Sequence, residues 1–524
     1  MASRRDELNA YTFARKRMVG AFLQPSGGGN DEDAPRPVKA VLPSVVVAAV
    51  LVAGFGMLGV ISPTAPQGWD DTKNIIQGKD STTRYVVLID PDTKQKVLHQ
   101  VLNMASARLV TPANAKIVIV ADSVLDAYKN HGPTIGIPYA PDKLPTPDVA
   151  AAPKKWSVCD RAGAGNTQST VNQAVFVAAD KEALALAKPG KMLAPGEWLF
   201  VESPEIANNR PAWYLVDSLG NKHAIGQQDT DADYRLGLAG AVFGAAEPQK
   251  VTKEWLDTLG DGDRIDYPDI QGFSPTTKVP STLQLTQQAD RFVGRLLTYQ
   301  NSSFYVVGKD ALFEVTAFQA NMISKGPVSK LLYDNHTATF GELTQSDYEK
   351  YGSKIDKGMM PSADKLPREK PSGHPVNVVG ADGGRTVLCS TFDSMDADSK
   401  VHRSVFADTK YPAEIASGSS SAHVSPGAGL VFRATDNGLG GSGANYLITE
   451  TGLRYQLLAN TAPAGDAKSG GAAGQQPAPQ QGDGAQARLG YDKIQPVAVP
   501  NSWASLVPAG PVLDVNAATK PQTY

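Results

Sequence analysis

The chain has 524 residues, of which 41% are hydrophobic and 20% charged, a folded-protein composition that rules out wholesale disorder. Its 50 basic and 53 acidic residues leave a formal charge of −3, which excludes a global basic field for nucleic acid, though not a local patch. Only 2 cysteines occur, so iron–sulfur clusters, cysteine-rich zinc sites and a disulfide-dense scaffold are excluded as well.

Residues 1–40 read as a basic cytoplasmic arm. Within RDELNAYTFARKRMVGAFLQ (5–24), Leu8, Tyr11, Val19, Phe22 and Leu23 recur near helical spacing beside Arg15, Lys16 and Arg17, which predicts an amphipathic helix. Such a helix suits either anionic lipid headgroups or a cytoplasmic partner. Residues 25–37 (PSGGGNDEDAPRP) read as a flexible tether.

The stretch 41–61 (VLPSVVVAAVLVAGFGMLGVI) is 21 residues without a charge. At 1.5 Å per residue it spans about 31 Å, one hydrocarbon core, and Pro43 falls in the first turn, where its missing N–H costs little. A buried core helix would rarely be this long and apolar all round. A cleavable signal peptide would need a basic region of 40 residues, and no A-x-A site follows. Seven basic residues precede the span, whereas residues 62–80 carry only Lys73 and Lys79, so the positive-inside rule puts the N-terminus in the cytoplasm. The expected protein is a single-pass inner-membrane anchor with a large extracytoplasmic body.

That body repeats itself. Tyr85-Val86-Val87-Leu88, Trp213-Tyr214-Leu215-Val216, Phe304-Tyr305-Val306-Val307 and Asn445-Tyr446-Leu447-Ile448 each start an apolar strand. A glycine lies six residues beyond the tyrosine in the second and fourth, Gly220 and Gly452, where hairpins need positive φ. Downstream, Pro248, Val251, Trp255, Leu259 and Gly262 are spaced like Pro496, Val499, Trp503, Val507 and Gly510. A tryptophan with apolar partners at −4 and +4 predicts one face of a short helix, closed by the glycine.

Cys159 (WSVCD) and Cys389 (TVLCS) are followed by Pro195-Gly196 and Pro426-Gly427 at nearly equal distances. This spacing implies an internal duplication over roughly 154–266 and 385–515. Two cysteines at equivalent positions in an oxidising compartment most simply form one disulfide, two buried thiols being the alternative.

The expected fold class is α+β: four hairpin-plus-helix repeats flanking a central mainly-β domain built from two distant segments. In chain order, 62–153 is a linker with the first repeat, 154–212 the leading segment of the central domain, 213–280 the second repeat and 281–359 the third. The trailing segment of the central domain follows at 360–444, and the fourth repeat at 445–524. The Gly/Ala/Gln/Pro stretch 461–487 interrupts that last repeat as an expected disordered insertion.

Chemistry is harder to find. No G-x-x-x-x-G-K-[ST] occurs, since Gly78-Lys79-Asp80 and Gly308-Lys309-Asp310 lack the upstream glycine and the hydroxyl residue. No G-x-S-x-G elbow and no H-E-x-x-H occur either. His223 coincides with Tyr455 in the repeat register, a structural hairpin position. The paired carboxylates Asp70-Asp71 and Asp261/Asp263 lie in turn-like contexts, where solvated acids are the default. No catalytic residue, cofactor or metal is expected.

Taken in order, R-R-D-E-L-N-A-Y-T-F-A-R-K-R, the span at 41–61, V-L-N-M-A-S-A-R-L at 101–109, the two cysteine contexts and Pro508-Ala509-Gly510-Pro511 resemble the EccB family. These are membrane components of actinobacterial type VII (ESX) secretion systems. The resemblance implies an assembly subunit of an inner-membrane complex that exports small helical Trp-x-Gly-type proteins. It implies as partners an EccC-like FtsK/SpoIIIE-type ATPase, an EccD-like polytopic membrane protein, an EccE-like subunit and further copies of itself. It also carries the family's disulfide onto Cys159 and Cys389. ATPase activity has been suggested for the family, and the sequence offers no phosphate-binding motif on which to place it. Two rival readings are a membrane-anchored peptidoglycan-binding protein, which needs exposed aromatics on the repeats, and a membrane-tethered hydrolase, which needs a convergent polar site.

Overall fold

The structure, a computed structural model, describes residues 3–23, 41, 43–53, 65–163, 171–186, 191–207, 210–226, 232–334, 337–356, 375–377, 384–415, 421–436, 442–458 and 484–522. A helix covers Arg4–Leu23, and residues 41 and 43–53 are helical with exposed valines and leucines. Among the described residues no helix is long and apolar enough to cross a membrane. Residues 42 and 54–61 of the expected span, and the tether 25–37, lie outside the described residues.

The first sheet has β1 (Asn74–Gly78), β2 (Arg84–Ile89), β3 (Lys96–Val101) and β4 (Lys116–Val120), ordered β3-β2-β1-β4. The first three form an antiparallel meander. A helix, Met104–Val110, returns the chain to β4, parallel to β1; after a second short helix, Asp122–Asp126, His131 and Ile135 bridge to β3 in parallel. The chain then makes the hairpin β5 (Lys155–Ala162) and β6 (Val171–Ala178).

The second sheet, β7 (Leu199–Ala207), β8 (Arg210–Val216), β9 (Asn221–Ala224), β10 (Gln249–Lys250) and β11 (Gly260–Asp261), is ordered β10-β7-β8-β9-β11. The third has β12 (Leu296–Tyr299), β13 (Ser303–Val307), β14 (Leu312–Val315), β15 (Gly341–Glu342) and β16 (Ile355–Asp356), ordered β15-β12-β13-β14-β16. Next, β17 (Val387–Met395), β18 (Val401–Asp408) and β19 (Ala422–Val424) join the early hairpin in a central sheet ordered β18-β17-β5-β6-β19. The last sheet has β20 (Gly429–Ala434), β21 (Ala444–Thr449), β22 (Arg454–Leu457) and β23 (Val497–Val499), with Ala509 and Leu513 bridging to β22 in parallel.

All four outer sheets therefore share one connectivity. A three-stranded meander is followed by helix, a strand parallel to its first member, a short helix, and an extended contact parallel to its third. Gly220 (φ 78°) and Gly452 (φ 75°) turn their meanders in the left-handed region.

This connectivity moves two of the expected boundaries. β7 (Leu199–Ala207) belongs to the second sheet and not to a central segment ending at 212, and β20 belongs to the last sheet and not to a segment ending at 444. The tyrosine-bearing strand is the middle of a three-strand meander, and its N-terminal neighbour carries the parallel edge strand as well. Ala485 is buried and starts the helix Ala485–Arg488, so the expected insertion 461–487 ends earlier; residues 459–483 lie outside the described residues.

Gly262 and Gly510 do not close the tryptophan helices, whose C-caps are Thr258 and Ser505. They lie instead in the extended contact beside the third meander strand, against a ring. A Cβ on Gly262 would fall 2.4 Å from His223 Cε1, and one on Gly510 would fall 2.5 Å from Tyr455 Cε1. Gly132 and His99 repeat the arrangement in the first sheet, at 2.2 Å. In the third sheet Phe313 holds the ring position and Asp356 the place opposite.

One core cluster ties the centre together: Trp156 and Val175 of the central sheet pack with Trp255 from the second-sheet unit and with Phe432 and Trp503 from the last. The Cys159–Cys389 disulfide is present in that central sheet.

Two outcomes are expected in thermal and denaturant unfolding of the full chain. Gly510→Ala, which pushes a methyl into the Tyr455 ring, should cost about 1–3 kcal/mol, the usual range for overpacking. Replacing Cys159 and Cys389 together by Ala, which opens a link of sequence separation 230, should cost up to about 5 kcal/mol on the chain-entropy scale.

Candidate functional site

The centre of the body is an antiparallel join between β5 and β17, two strands from distant stretches of the chain. Cys389 sits directly opposite Cys159, Thr391 opposite Ser157 and Phe392 opposite Trp156. The Ser157 and Thr391 hydroxyls hydrogen-bond at 2.7 Å, and both cysteines are fully buried among Ala174, Phe176, Val387 and Phe406. Each strand continues outward into its own hairpin partner, β6 or β18.

The outermost contacts also match. Leu193 N–H donates to the Val405 carbonyl and Ala407 N–H to that of Lys191; on the far side Val175 N–H donates to Ser421 and Ser425 N–H to Val177. An approximate two-fold thus passes through the disulfide, and the second and last sheets hang on either side of it.

Trp255 and Trp503 occupy matching places, 0% and 1% exposed. Tyr214 and Tyr446 are half-buried against the same cluster, and Tyr446 stacks on Phe432 at 5.4 Å. Arg403 on β18 reaches across the seam. It lies over Trp503, 6.0 Å from the ring centre, and against Gly220, whose missing Cβ would be 2.7 Å from Arg403 Cγ. Gly220 is therefore needed both for its turn and for this close approach.

The two halves differ beside the cysteines. Asp160 is buried and accepts hydrogen bonds from Thr252 N (2.6 Å), Thr252 Oγ1 (2.8 Å) and Gln173 Nε2 (3.3 Å). Thr252 in turn caps the helix Lys253–Asp257 by accepting from Trp255 N–H at 3.1 Å. A buried carboxylate on the central sheet thus positions the helix that carries Trp255.

In the other half the residue after the cysteine is Ser390, and Pro500 takes the place of Thr252. Proline has no N–H and no hydroxyl to offer a carboxylate. Burial pushes the Asp160 carboxyl up to about 6, outweighing the opposite effect of its three donors.

The exposed arm is the other feature. Arg15, Lys16, Arg17 and Phe22 lie exposed on the helix Arg4–Leu23, Phe22 at 90%, and Leu8, Tyr11 and Met18 are exposed with them. The Leu23 side chain lies outside the described residues. An apolar and basic helix surface of this kind suits a lipid or protein partner.

The acids and histidine singled out in the sequence are engaged structurally. Asp70 pairs with Lys96 at 3.0 Å and Asp261 with Lys222 at 3.1 Å. His223 bonds Asp217 Oδ2 at 3.2 Å and the Asp263 carbonyl at 2.7 Å; burial alone would depress its imidazole, but these partners raise it above the usual value. Among the described residues no cluster of three His, Cys, Asp or Glu could hold a metal. The roles of Asp160, Thr252 and Arg403 are not legible in the sequence. The one available signal is an acid following Cys159 and none following Cys389.

Asp160 predicts a pH signature. Its folded carboxyl binds a proton more tightly than the unfolded one, so its contribution is greatest below about pH 4 and is lost as pH rises through about 6. Wild type should lose on the order of 3 kcal/mol across that window from this group, and Asp160→Asn should remove that slope in pH-dependent unfolding.

A sequence model of the family described as "Type VII secretion system ESX-1, transport TM domain B" matches residues 1–522. Among curated relatives, the ESX-1 secretion system ATPase EccB1 of Mycobacterium tuberculosis is 24% identical over 317 residues, 60% of this chain and 59% of that protein. The ESX-5 secretion system ATPase EccB5 of Mycobacterium marinum is 32% identical over 165 residues, 32% of this chain and 30% of its own. The matched stretch thus spans 59% of the length of the first of these relatives.

Among solved structures, a chain of an intact ESX-5 inner membrane complex aligns over 100% of this chain and 96% of its own, at 18% identity and TM-score 0.56. The EccB3 dimer from the ESX-3 core complex aligns over 85% of this chain and 100% of its own, at 20% identity and TM-score 0.55. At these identities the structural likeness is one of fold. The match over residues 1–522 is one of family: the chain belongs to the EccB family of type VII secretion components.

Proposed function

We propose that this chain is a structural and assembly subunit of a type VII (ESX) secretion complex in the inner membrane, supporting export of small helical Trp-x-Gly-type proteins. The observation that carries this reading is the family match over residues 1–522. The fold is consistent with it: Asp70, Asp261 and His223 are engaged in ion pairs and hydrogen bonds within the body, and the arm helix exposes apolar and basic side chains.

In this reading residues 41–61 anchor the chain by a single span. The arm stays in the cytoplasm, where Arg15, Lys16, Arg17 and Phe22 dock against an EccC-like FtsK/SpoIIIE-type ATPase and an EccD-like polytopic protein. The body, as four repeats around a central domain, lies outside with an EccE-like subunit and further copies of the chain. Trp255 and Trp503 are buried and so are not available to grip a wall polymer.

Mild-detergent extraction of the tagged chain, sizing and mass spectrometry test this. A very large assembly containing the ATPase and the polytopic protein is the expected result; a lone monomer or dimer carrying wall fragments would replace it with the peptidoglycan-binding reading. Reversing Arg15, Lys16 and Arg17 to Glu should cut recovery of the cytoplasmic partners at least ten-fold without changing the melting temperature of the body. Unchanged recovery with reduced binding to anionic vesicles would assign the arm to lipid.

A further inference from the structure

Each outer sheet ends on an edge strand parallel to the first strand of its meander. Three of these edges are blunted by brevity: β10 and β15 have two residues each and β23 has three, two of them buried. Short edges are a standard protection against unwanted strand pairing. The first sheet departs from the pattern. Its edge β4, Lys-Ile-Val-Ile-Val, has five residues, with Ile117 46% and Ile119 58% exposed.

The free side of β4 has a defined hydrogen-bonding character. Lys79 N–H donates to the Val120 carbonyl, so Val120, and by alternation Val118 and Lys116, turn their peptide groups toward β1. Ile117 and Ile119 therefore present their N–H and C=O groups outward, where the same two residues expose apolar side chains. A long apolar edge with open donors and acceptors is a template for another strand.

We infer that β4 pairs with β4 of a second copy of this chain, antiparallel about a two-fold axis at Val118. This rests on the assembly reading, in which several copies meet. The register is self-complementary. Ile117 faces the partner subunit's Ile119 in a hydrogen-bonded pair, and the axis repeats that pair, for four inter-chain hydrogen bonds. The two isoleucines stack on one face at each pair, removing the exposed apolar surface from water. Lys116 faces the partner subunit's Val120 at the end of the strand, so no like charges meet. Val118 falls opposite its own copy at a non-hydrogen-bonded position, where side chains approach most closely.

The full-length chain in mild detergent provides the test. Val118→Cys, under mild oxidation, should give a covalent dimer on a non-reducing gel that reductant reverses, while Ile119→Cys, displaced from the axis, should give at least ten-fold less. Cys159 and Cys389 are buried and bonded to each other, so they do not compete. Ile117→Lys with Ile119→Lys, at exposed positions, should weaken dimerisation at least ten-fold by light scattering, with an unchanged melting temperature.

Ile119→Pro should do the same, because the N–H it removes has no partner inside the sheet. A chain that copurifies with its membrane partners, yet gives no Val118→Cys cross-link and keeps its dimer mass in the lysine variant, overturns the edge pairing alone. A chain that is monomeric and copurifies with nothing overturns the assembly reading together with it.

Discussion

The join between β5 and β17 is the constraint on which the rest of the body depends. The two strands come from segments whose cysteines are 230 residues apart, and closing so long a loop is entropically unfavourable before any contact forms. A ladder with Cys159 opposite Cys389 offsets that cost with backbone hydrogen bonds and a covalent link at the centre. The second and last sheets then pack their tryptophans into the cluster around that ladder. The third sheet is threaded between the two halves, with its own cores around Val306 and Tyr305.

An approximate two-fold at the disulfide does not make the halves equal. Asp160 holds Thr252, and Thr252 starts the helix that presents Trp255. On the other side Pro500 asks for no such acceptor, and the residue beside Cys389 is a serine. One half therefore docks its helix through a buried carboxylate, which binds hydrogen-bond donors strongly but resists burial. The other docks through packing, with Asn501 tied to the peripheral Asp436. The two halves share one connectivity and differ in the electrostatics of their helix docking.

The exposed apolar surfaces of the arm and the β4 edge lie away from the central join. The arm exposes apolar and basic side chains on one helix, and β4 exposes an apolar edge longer than the corresponding parallel edge strands of the other three outer sheets. Some buried polar groups, such as Asp160 and the Ser157–Thr391 pair, serve the central joints, while others, such as Gln319 and Asn103, cap helices.

Local sequence determined the elements that depend on neighbouring residues. The arm helix, the turn glycines Gly220 and Gly452, and the tryptophan-bearing helices at 255 and 503 are legible because φ preference and helical period act over a few residues. Tertiary structure decided the rest. The first strand of each meander could not be assigned from its residues, because its partner in the parallel edge lies tens of residues away and strand pairing has no local code. Gly262 and Gly510 looked like helix stops; only the fold shows His223 and Tyr455 filling the place of a Cβ. Asp160 shows no partner in the local sequence; the fold brings Thr252, 92 residues away, against it. Its burial, and hence its chemistry, is a property of the packed sheets and not of the residue.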